Sequence, residues 1–232
     1  MLSVDIGIIG AMRPEVESII SALDEAECTT VSGIEFYTGR LFDKRVAIAQ
    51  CGIGKVFAAI CAEAMILNFS PRLIVNTGVG GAVSSELRPL DIVIASRLVQ
   101  HDMDTSPLGD PVGLISGINR IYFDADSRAT DILLSSARAL GARVSVGTVA
   151  TGDKFISSYE DKVRLSLLFS ADACEMEGGA IAHCAFVNSV PFAVVRAISD
   201  SADGKAEMDY PEFLSSAAEL SCKLTLELVK KY

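Results

Sequence analysis

Histidine occurs only twice in the 232 residues, at His101 and His183, and tryptophan is absent. The six cysteines (Cys28, Cys51, Cys61, Cys174, Cys184 and Cys222) contain no C-x-x-C pair and sit mostly within apolar patterns, as reduced core cysteines do. That excludes a disulfide framework and a zinc knuckle, and it leaves few imidazole ligands for a metal. No apolar stretch runs uninterrupted for the roughly 20 residues that a membrane helix requires. No basic segment precedes Ile6-Gly7-Ile8-Ile9, so a soluble, cytoplasmic protein is expected. Cations are outnumbered 20 to 30, and the net charge of −10 with a pI near 4.7 repels phosphodiester backbones and anionic lipid surfaces alike. Nucleic acid and membrane are therefore excluded as partners.

What is present is apolar: half of the residues are hydrophobic, enough for one large core. No linker rich in Ser, Gly or Pro and no charge block divides the chain, so a single domain over 1–232 is expected. Continuous β-rich apolar runs recur at 4–10, 45–52, 72–77, 91–98, 143–151, 173–176 and 191–199, the pattern of strands covered on both faces. Helical patterns lie at 14–23, 55–69, 127–140, 159–168, 178–188 and 210–230. Pro14 suits a first helical turn, and Asp126 suits an N-cap. The alternation predicts an α/β fold with a mixed or mainly parallel sheet. The segment from Gln100 to Phe123, with Pro107, Pro111, Gly109, Gly113 and Gly117, is a long excursion of the kind that forms a binding loop or an interface arm.

Ligands of α/β sheets gather outside the carboxyl ends of strands. The residues there include Ala11-Met12-Arg13-Pro14-Glu15, Gly52-Ile53-Gly54-Lys55, Gly78-Val79-Gly80-Gly81, His101-Asp102, Gly152-Asp153-Lys154-Phe155-Ile156, Glu175-Met176-Glu177 and Arg196-Ala197-Ile198-Ser199-Asp200. One edge thus collects glycines, acids and a few apolar side chains, the profile of a small pocket for a polar ligand. Carboxylates such as Glu177 and Asp200 at the ends of buried strands cost several kcal/mol unless partners offset the loss of water, which marks a site rather than a stabilising device. Each also has a plainer reading, Glu177 opening a helix and Asp200 capping a turn. The glycines match neither a P-loop nor the dinucleotide fingerprint, which disfavours a nicotinamide-dependent oxidoreductase. Arg13 and Lys55 read as solvated or structural charges, and His101-Asp102-Met103-Asp104 as a loop that orients its neighbours rather than a hard-metal site.

Taken jointly and in order, Gly7-Ile8-Ile9-Gly10-Ala11-Met12 with Glu15, Gly52-Ile53-Gly54-Lys55-Val56, Asn76-Thr77-Gly78, Gly152-Asp153 with Phe155-Ile156, Glu175-Met176-Glu177 and Arg196-Ala197-Ile198-Ser199-Asp200 resemble the 5′-methylthioadenosine/S-adenosylhomocysteine nucleosidases. The likeness runs from the first strand to Phe213. It implies a nucleoside phosphorylase-like, three-layer α/β sandwich whose central mixed sheet is flanked by helices. It also implies a homodimer that hydrolyses the N-glycosidic bond of 5′-thio-substituted adenosines without metal or organic cofactor, an activity of the kind used in methionine salvage. Carried over by residue, Asp200 protonates adenine N7 and Glu15 positions or deprotonates the attacking water. Glu177 binds the ribose hydroxyls, Met176 packs on the sugar, and Glu175 lies near the same edge. Phe155 stacks on adenine, the Ile156 backbone reads its polar edge, and Ser199 and Arg196 hold Asp200.

This chemistry needs Asp200 protonated while Glu15 is ionised; burial beside other acids for the first and greater solvent contact for the second are the expected causes. The two acids fit the two-carboxylate logic of glycoside hydrolysis, in which carboxylates also stabilise positive charge building on the sugar. The related phosphorylases usually place an arginine and a serine at the end of the central strand to bind phosphate; here those places hold Asn76 and Val79, so water is the expected nucleophile. Val79 and the adjacent Gly80 lie on the ribose side, with Val79 where many nucleosidases have Ser. Thr105 and Leu108 fall where the family lines the 5′-substituent pocket from the partner subunit, which makes the loop from Thr105 to Ile115 a shared element. Met12, Ile53, Leu108 and Tyr210 are expected to receive the thioether. The rivals are a phosphate-dependent phosphorylase and a nucleoside-binding module without turnover.

Overall fold

The computed structural model describes residues 3–202 and 206–232. The chain order is β1 (Ile6–Gly10), a 3-10 turn (Arg13–Glu15), α1 (Glu17–Ser21), β2 (Asp24–Val31), β3 (Ile34–Leu41), β4 (Lys44–Gln50), α2 (Lys55–Phe69), β5 (Leu73–Ala82) and β6 (Ile92–Gln100). After a long loop come β7 (Tyr122–Asp124), α3 (Ser127–Ala139), β8 (Val144–Thr151), α4 (Tyr159–Phe169), β9 (Ala171–Glu175), α5 (Gly178–Val187), β10 (Phe192–Asp200) and α6 (Ala206–Lys231).

All seven expected strands are present in one mixed sheet, ordered β10-β6-β8-β9-β5-β1-β4-β3-β2. β10 also pairs in parallel with β5, so β5, β9, β8, β6 and β10 form a closed ring from which β1, β4, β3 and β2 extend as an open sheet. The central strands carry apolar side chains on both faces. In β1 and β4, Ile9, Ala47 and Ala49 join the core beneath α2 and α5, whereas Ile6, Ile8, Val46 and Ile48 join the core beneath α3 and α6. This is why their runs are continuous rather than alternating. Helices thus cover both faces of a central mixed sheet, as the α/β sandwich requires.

Three elements depart from the sequence expectation. β2 and β3 form a hairpin that no apolar run announces: seven of the eight β2 residues are exposed. Its signal is the turn Ser32-Gly33, with φ of 52° and 77°, the two left-handed residues that a tight hairpin of matching twist demands. The helix expected over 14–23 is instead a 3-10 turn followed by the short α1. Glu15 bends back to accept hydrogen bonds from Ala11 N and Met12 N, and Val16 at φ −132° interrupts regular helix. Asp126 does cap α3, accepting from Ala129 N at 2.8 Å, and Ser158 caps α4 in the same manner. The loop after β6 is tied by bonds of its own, Gly113 N to Met103 O at 2.7 Å and Thr105 Oγ1 to Asp110 at 2.7 Å. Among the described residues no helix is long and apolar enough to cross a membrane.

Candidate active site

The carboxyl ends of β1, β5, β9 and β10 open onto a cavity of about 310 Å³ lined by Met12, Glu15, Ile53, Val79, Gly80, Phe155, Ile156, Glu175, Met176, Glu177, Ser199, Asp200 and Tyr210. Ala11, Gly81, Lys154 and Cys174 complete the wall. Thirteen of the sixteen expected site residues therefore meet in one place. The other three are Arg196, Thr105 and Leu108. Thr105 and Leu108 lie in the loop beyond β6, where the Leu108 side chain is 84% exposed, so within one chain they do not line the cavity.

Glu15 is 3% exposed and its carboxylate accepts three backbone N–H groups: Ala11 at 2.7 Å and Met12 at 2.9 Å on Oε2, Val79 at 3.0 Å on Oε1. The expectation of greater solvent contact for Glu15 is thus corrected: it is as buried as Asp200, at 2%. Burial pushes its pKa up, while the charge of Arg196 and the three N–H donors work against that rise. What opposes that rise is Arg196 and then the oriented amides, not water.

Glu175 and Glu177 stand two residues apart with different duties. Glu175 accepts the Thr151 hydroxyl, Glu177 N at 2.9 Å, Gly178 N at 2.6 Å and the Arg196 guanidinium at 2.5 Å. Burial opposes its ionisation, but Arg196 and these donors hold its pKa below the ordinary range. The start of α5 is therefore capped by Glu175, not by the residue at the capping position, Glu177. Glu177 instead accepts Gly54 N at 2.8 Å, from the first turn of α2. Gly54 has φ 102°, which only glycine adopts without strain and which aims that N–H at the carboxylate. Burial first, then the charge of Glu175, pushes the Glu177 carboxyl up to about 7. Glu177 does stand at the N-cap of α5, as the plainer reading has it, but its side chain makes no capping bond and turns to Gly54 instead.

Arg196 does not hold Asp200, contrary to expectation. It lies beneath the cavity, fully buried, bonded to Glu175 and to the Asn76 side chain, whose Nδ2 donates to Ile9 O at 2.9 Å. A strand residue four positions before Asp200 sits two pleats away from it, out of reach. Asp200 is held by Ser199, whose hydroxyl donates to Oδ1 at 3.0 Å, and by Lys162, whose ammonium lies 2.9 Å from Oδ2. The neighbour of Asp200 is thus a cation, not the other acids expected beside it. Lys162 escaped sequence reasoning, although its spacing with Leu165 and Phe169 on the buried face of α4 was readable.

At the outer end, Phe155 meets Tyr210 edge to face at 5.6 Å, and the Tyr210 hydroxyl contacts Met12 Sδ at 3.4 Å. Phe155 remains 44% exposed, while Ile156 is buried. Lys55 and Asp102 are structural, as expected: Lys55 Nζ reaches Asp102 Oδ1 at 2.6 Å, and Asp102 Oδ2 accepts Asp153 N at 2.9 Å. Arg13 pairs with Glu17 at the surface. Among the described residues, the cations nearest the cavity are each matched to a carboxylate: Lys154 to Asp161, Lys162 to Asp200, and Arg196 to Glu175.

The model of the phosphorylase superfamily matches residues 5–230. The chain is 36% identical to a 5′-methylthioadenosine/S-adenosylhomocysteine nucleosidase of Shewanella halifaxensis, covering 97% of this chain and 99% of that protein. It is 33% identical to an aminodeoxyfutalosine nucleosidase of Campylobacter jejuni, covering 97% and 98%. A crystal structure of the Neisseria meningitidis 5′-methylthioadenosine/S-adenosylhomocysteine nucleosidase in complex with methylthio-immucillin-A superimposes with a TM-score of 0.94 at 33% identity, covering 98% of this chain and 99% of that one. With cavity, carboxylates and fold in agreement, the chain belongs to the phosphorylase superfamily and, within it, to the 5′-methylthioadenosine/S-adenosylhomocysteine nucleosidase family.

Proposed function

We propose that this protein hydrolyses the N-glycosidic bond of 5′-methylthioadenosine and S-adenosylhomocysteine, releasing adenine and the thioribose product. The observation that carries this reading is that Glu15 and Asp200 line the same cavity, one fastened by backbone N–H groups and the other at the end of β10. The N9–C1′ bond breaks as Asp200 gives a proton to N7, so adenine departs neutral. Water then adds to C1′ as Glu15 takes its proton. Glu177, with Met176 beside it, receives the ribose hydroxyls, and the negative charge of the wall stabilises the cationic sugar in the transition state. Phe155 and the Ile156 backbone hold the purine. Met12, Ile53 and Tyr210 receive the thioether, and Val79 and Gly80 flank the ribose.

Water rather than phosphate is the nucleophile, because Arg196 and Lys154 are already matched to Glu175 and Asp161, and Asn76 is turned to Arg196. Among the described residues a phosphate dianion finds no unmatched fork of donors on this wall, and it faces the Glu15 carboxylate. The name of the Campylobacter jejuni relative makes aminodeoxyfutalosine the second candidate substrate, with 5′-deoxyadenosine the smallest.

A homodimer completes the outer end of the pocket. Ile53 at the cavity mouth continues into exposed Val56, Phe57 and Ile60 along α2, an apolar face suited to a second copy whose loop from Thr105 to Ile115, with Leu108, reaches the mouth. Incubation with methylthioadenosine or S-adenosylhomocysteine, with and without phosphate, is expected to yield adenine and free thioribose at the same rate. Adenine formed only with phosphate, together with a sugar 1-phosphate, overturns hydrolysis. A fully active monomer by sedimentation overturns the shared pocket.

A further inference from the structure

We propose that Lys162 is a positioning residue for Asp200, fixing the place and plane of its carboxyl group; this rests on the reading of Asp200 as the proton donor to the purine. Lys162 is 1% exposed, on a helix that otherwise turns Leu165 and Phe169 inward. A lone ammonium in such a place costs several kcal/mol, so it persists only with strong partners. It has two at the end of β10: Asp200 Oδ2 at 2.9 Å and Ser201 O at 2.5 Å. Two donors from one ammonium to adjacent residues fix the backbone after β10 as well as the carboxylate. With Ser199 on Oδ1, both carboxylate oxygens are held, which fixes the plane of the acid.

Glu15, Glu175 and Glu177 line the same cavity as Asp200. From β9 comes Cys174, whose thiol is pushed up to about 12 by burial and is neutral; from β5 comes Gly81, on which any Cβ would stand 2.9 Å from Asp200 Oδ2. Tyr210 approaches from α6, its phenol pKa raised by burial and by the surrounding carboxylates. Among the described residues, Lys162 is the charged group bonded directly to Asp200, and with Ser199 it fixes where the acid stands. It also ties the acid to purine binding, since α4 begins at Ser158, two residues beyond Ile156, and Lys162 lies on its first turns.

The test is kcat and KM, measured separately, for Lys162→Met and Lys162→Arg beside Asp200→Asn. Loss of activity in Asp200→Asn confirms the acid on which the inference rests, and its retention sinks that reading independently of Lys162. Given an essential Asp200, Lys162→Met should lower plateau kcat by about 10- to 100-fold, as loss of a charge-assisted hydrogen bond implies, with KM little changed. Lys162→Arg, which keeps a cation beside Asp200, should recover most of the lost kcat. A native kcat in Lys162→Met, or a loss that falls on KM instead of kcat, overturns the proposal. If Lys162→Met is too unstable to assay, thermal unfolding decides: pairing predicts a smaller loss from Lys162→Met in the Asp200→Asn background than in the native one, and equal losses overturn it.

Discussion

The floor and the wall of the cavity are built from the same residue type at the same depth and behave oppositely. In the floor, Glu175 is surrounded by Arg196, Thr151 and two backbone N–H groups, and its pKa is held down. In the wall, Glu177 has one N–H from Gly54 and the repulsion of Glu175, and its pKa is pushed up to about 7. Glu15 also shifts upward, through burial. Between Glu175 and Glu177 the difference lies in partners, not in burial. Glu175, with both oxygens engaged by protein, is a fixture, whereas Glu177, left short of donors, is an opening for a ligand that brings hydroxyls or a cationic sugar. Tuning by partner number lets neighbouring acids take separate tasks.

The strongest way to break the contrast is to remove the acid of the wall. Asp200→Asn keeps the shape and the Ser199 contact but has no proton to give, and kcat is expected to fall by about 10²–10⁴; it also leaves the buried Lys162 ammonium without its anion, so the unfolding temperature should fall as well. Steady-state rates beside a thermal melt check this. A drop of less than fivefold removes Asp200 from the chemistry.

Removing the cation of the floor should unfold rather than inactivate. Arg196→Met leaves Glu175 buried and uncompensated, at a cost of about 3–5 kcal/mol, measured by urea denaturation. Residual folded protein should keep a substantial fraction of turnover. If instead stability held and activity vanished, Arg196 would be acting on the substrate after all.

Floor and wall also carry opposite pH signatures. Glu177 is raised in the folded state above its unfolded value near 4.5, so the folded form binds the proton more tightly. Its stabilising effect is complete below the unfolded value and is lost as pH rises from there to about 7, at roughly 1.4 kcal/mol per unit of difference. Glu175 is depressed, so its contribution is present above the unfolded value and is lost as pH falls below it. Glu177→Gln should therefore gain stability relative to the native protein between pH 4.5 and 7 and show no further change above. Melting temperatures of both proteins across that range decide it, and a constant difference refutes the assignment.

The sheet was legible because its central strands are buried on both faces, which writes continuous apolar runs into the sequence; β2, exposed almost throughout, wrote nothing but its turn. The site was legible as a set because strand ends deliver it, and Glu15, Glu177 and Asp200 each terminate or follow such a run. The partners were not legible. Arg196 and Asp200 share a strand but not a contact, because reach across a sheet depends on which neighbour faces each pleat. Lys162 joins Asp200 from 38 residues away, and only the packing of α4 makes them neighbours. Protonation state follows partners, so the expected cause of the Glu15 charge, solvent, was replaced by Arg196 and three amides.

The finest test of floor against wall removes one hydroxyl from each. Thr151 donates to Glu175 and accepts Gly179 N at 2.7 Å, so Thr151→Val strands a buried N–H at the start of α5 and should cost about 1–3 kcal/mol of stability. Ser199 donates to Asp200 Oδ1, and its other contact, Gly80 O at 3.3 Å, is long. Ser199→Ala should cost about 1 kcal/mol or less in stability, and it should reduce kcat roughly fivefold by loosening the plane of the acid. The two variants thus exchange readouts: one moves the melt and spares turnover, the other moves turnover and spares the melt. If Thr151→Val proved the more damaging to kcat at full folding, the floor would be part of the chemistry, and the division between fixture and opening would have to be redrawn around Glu175.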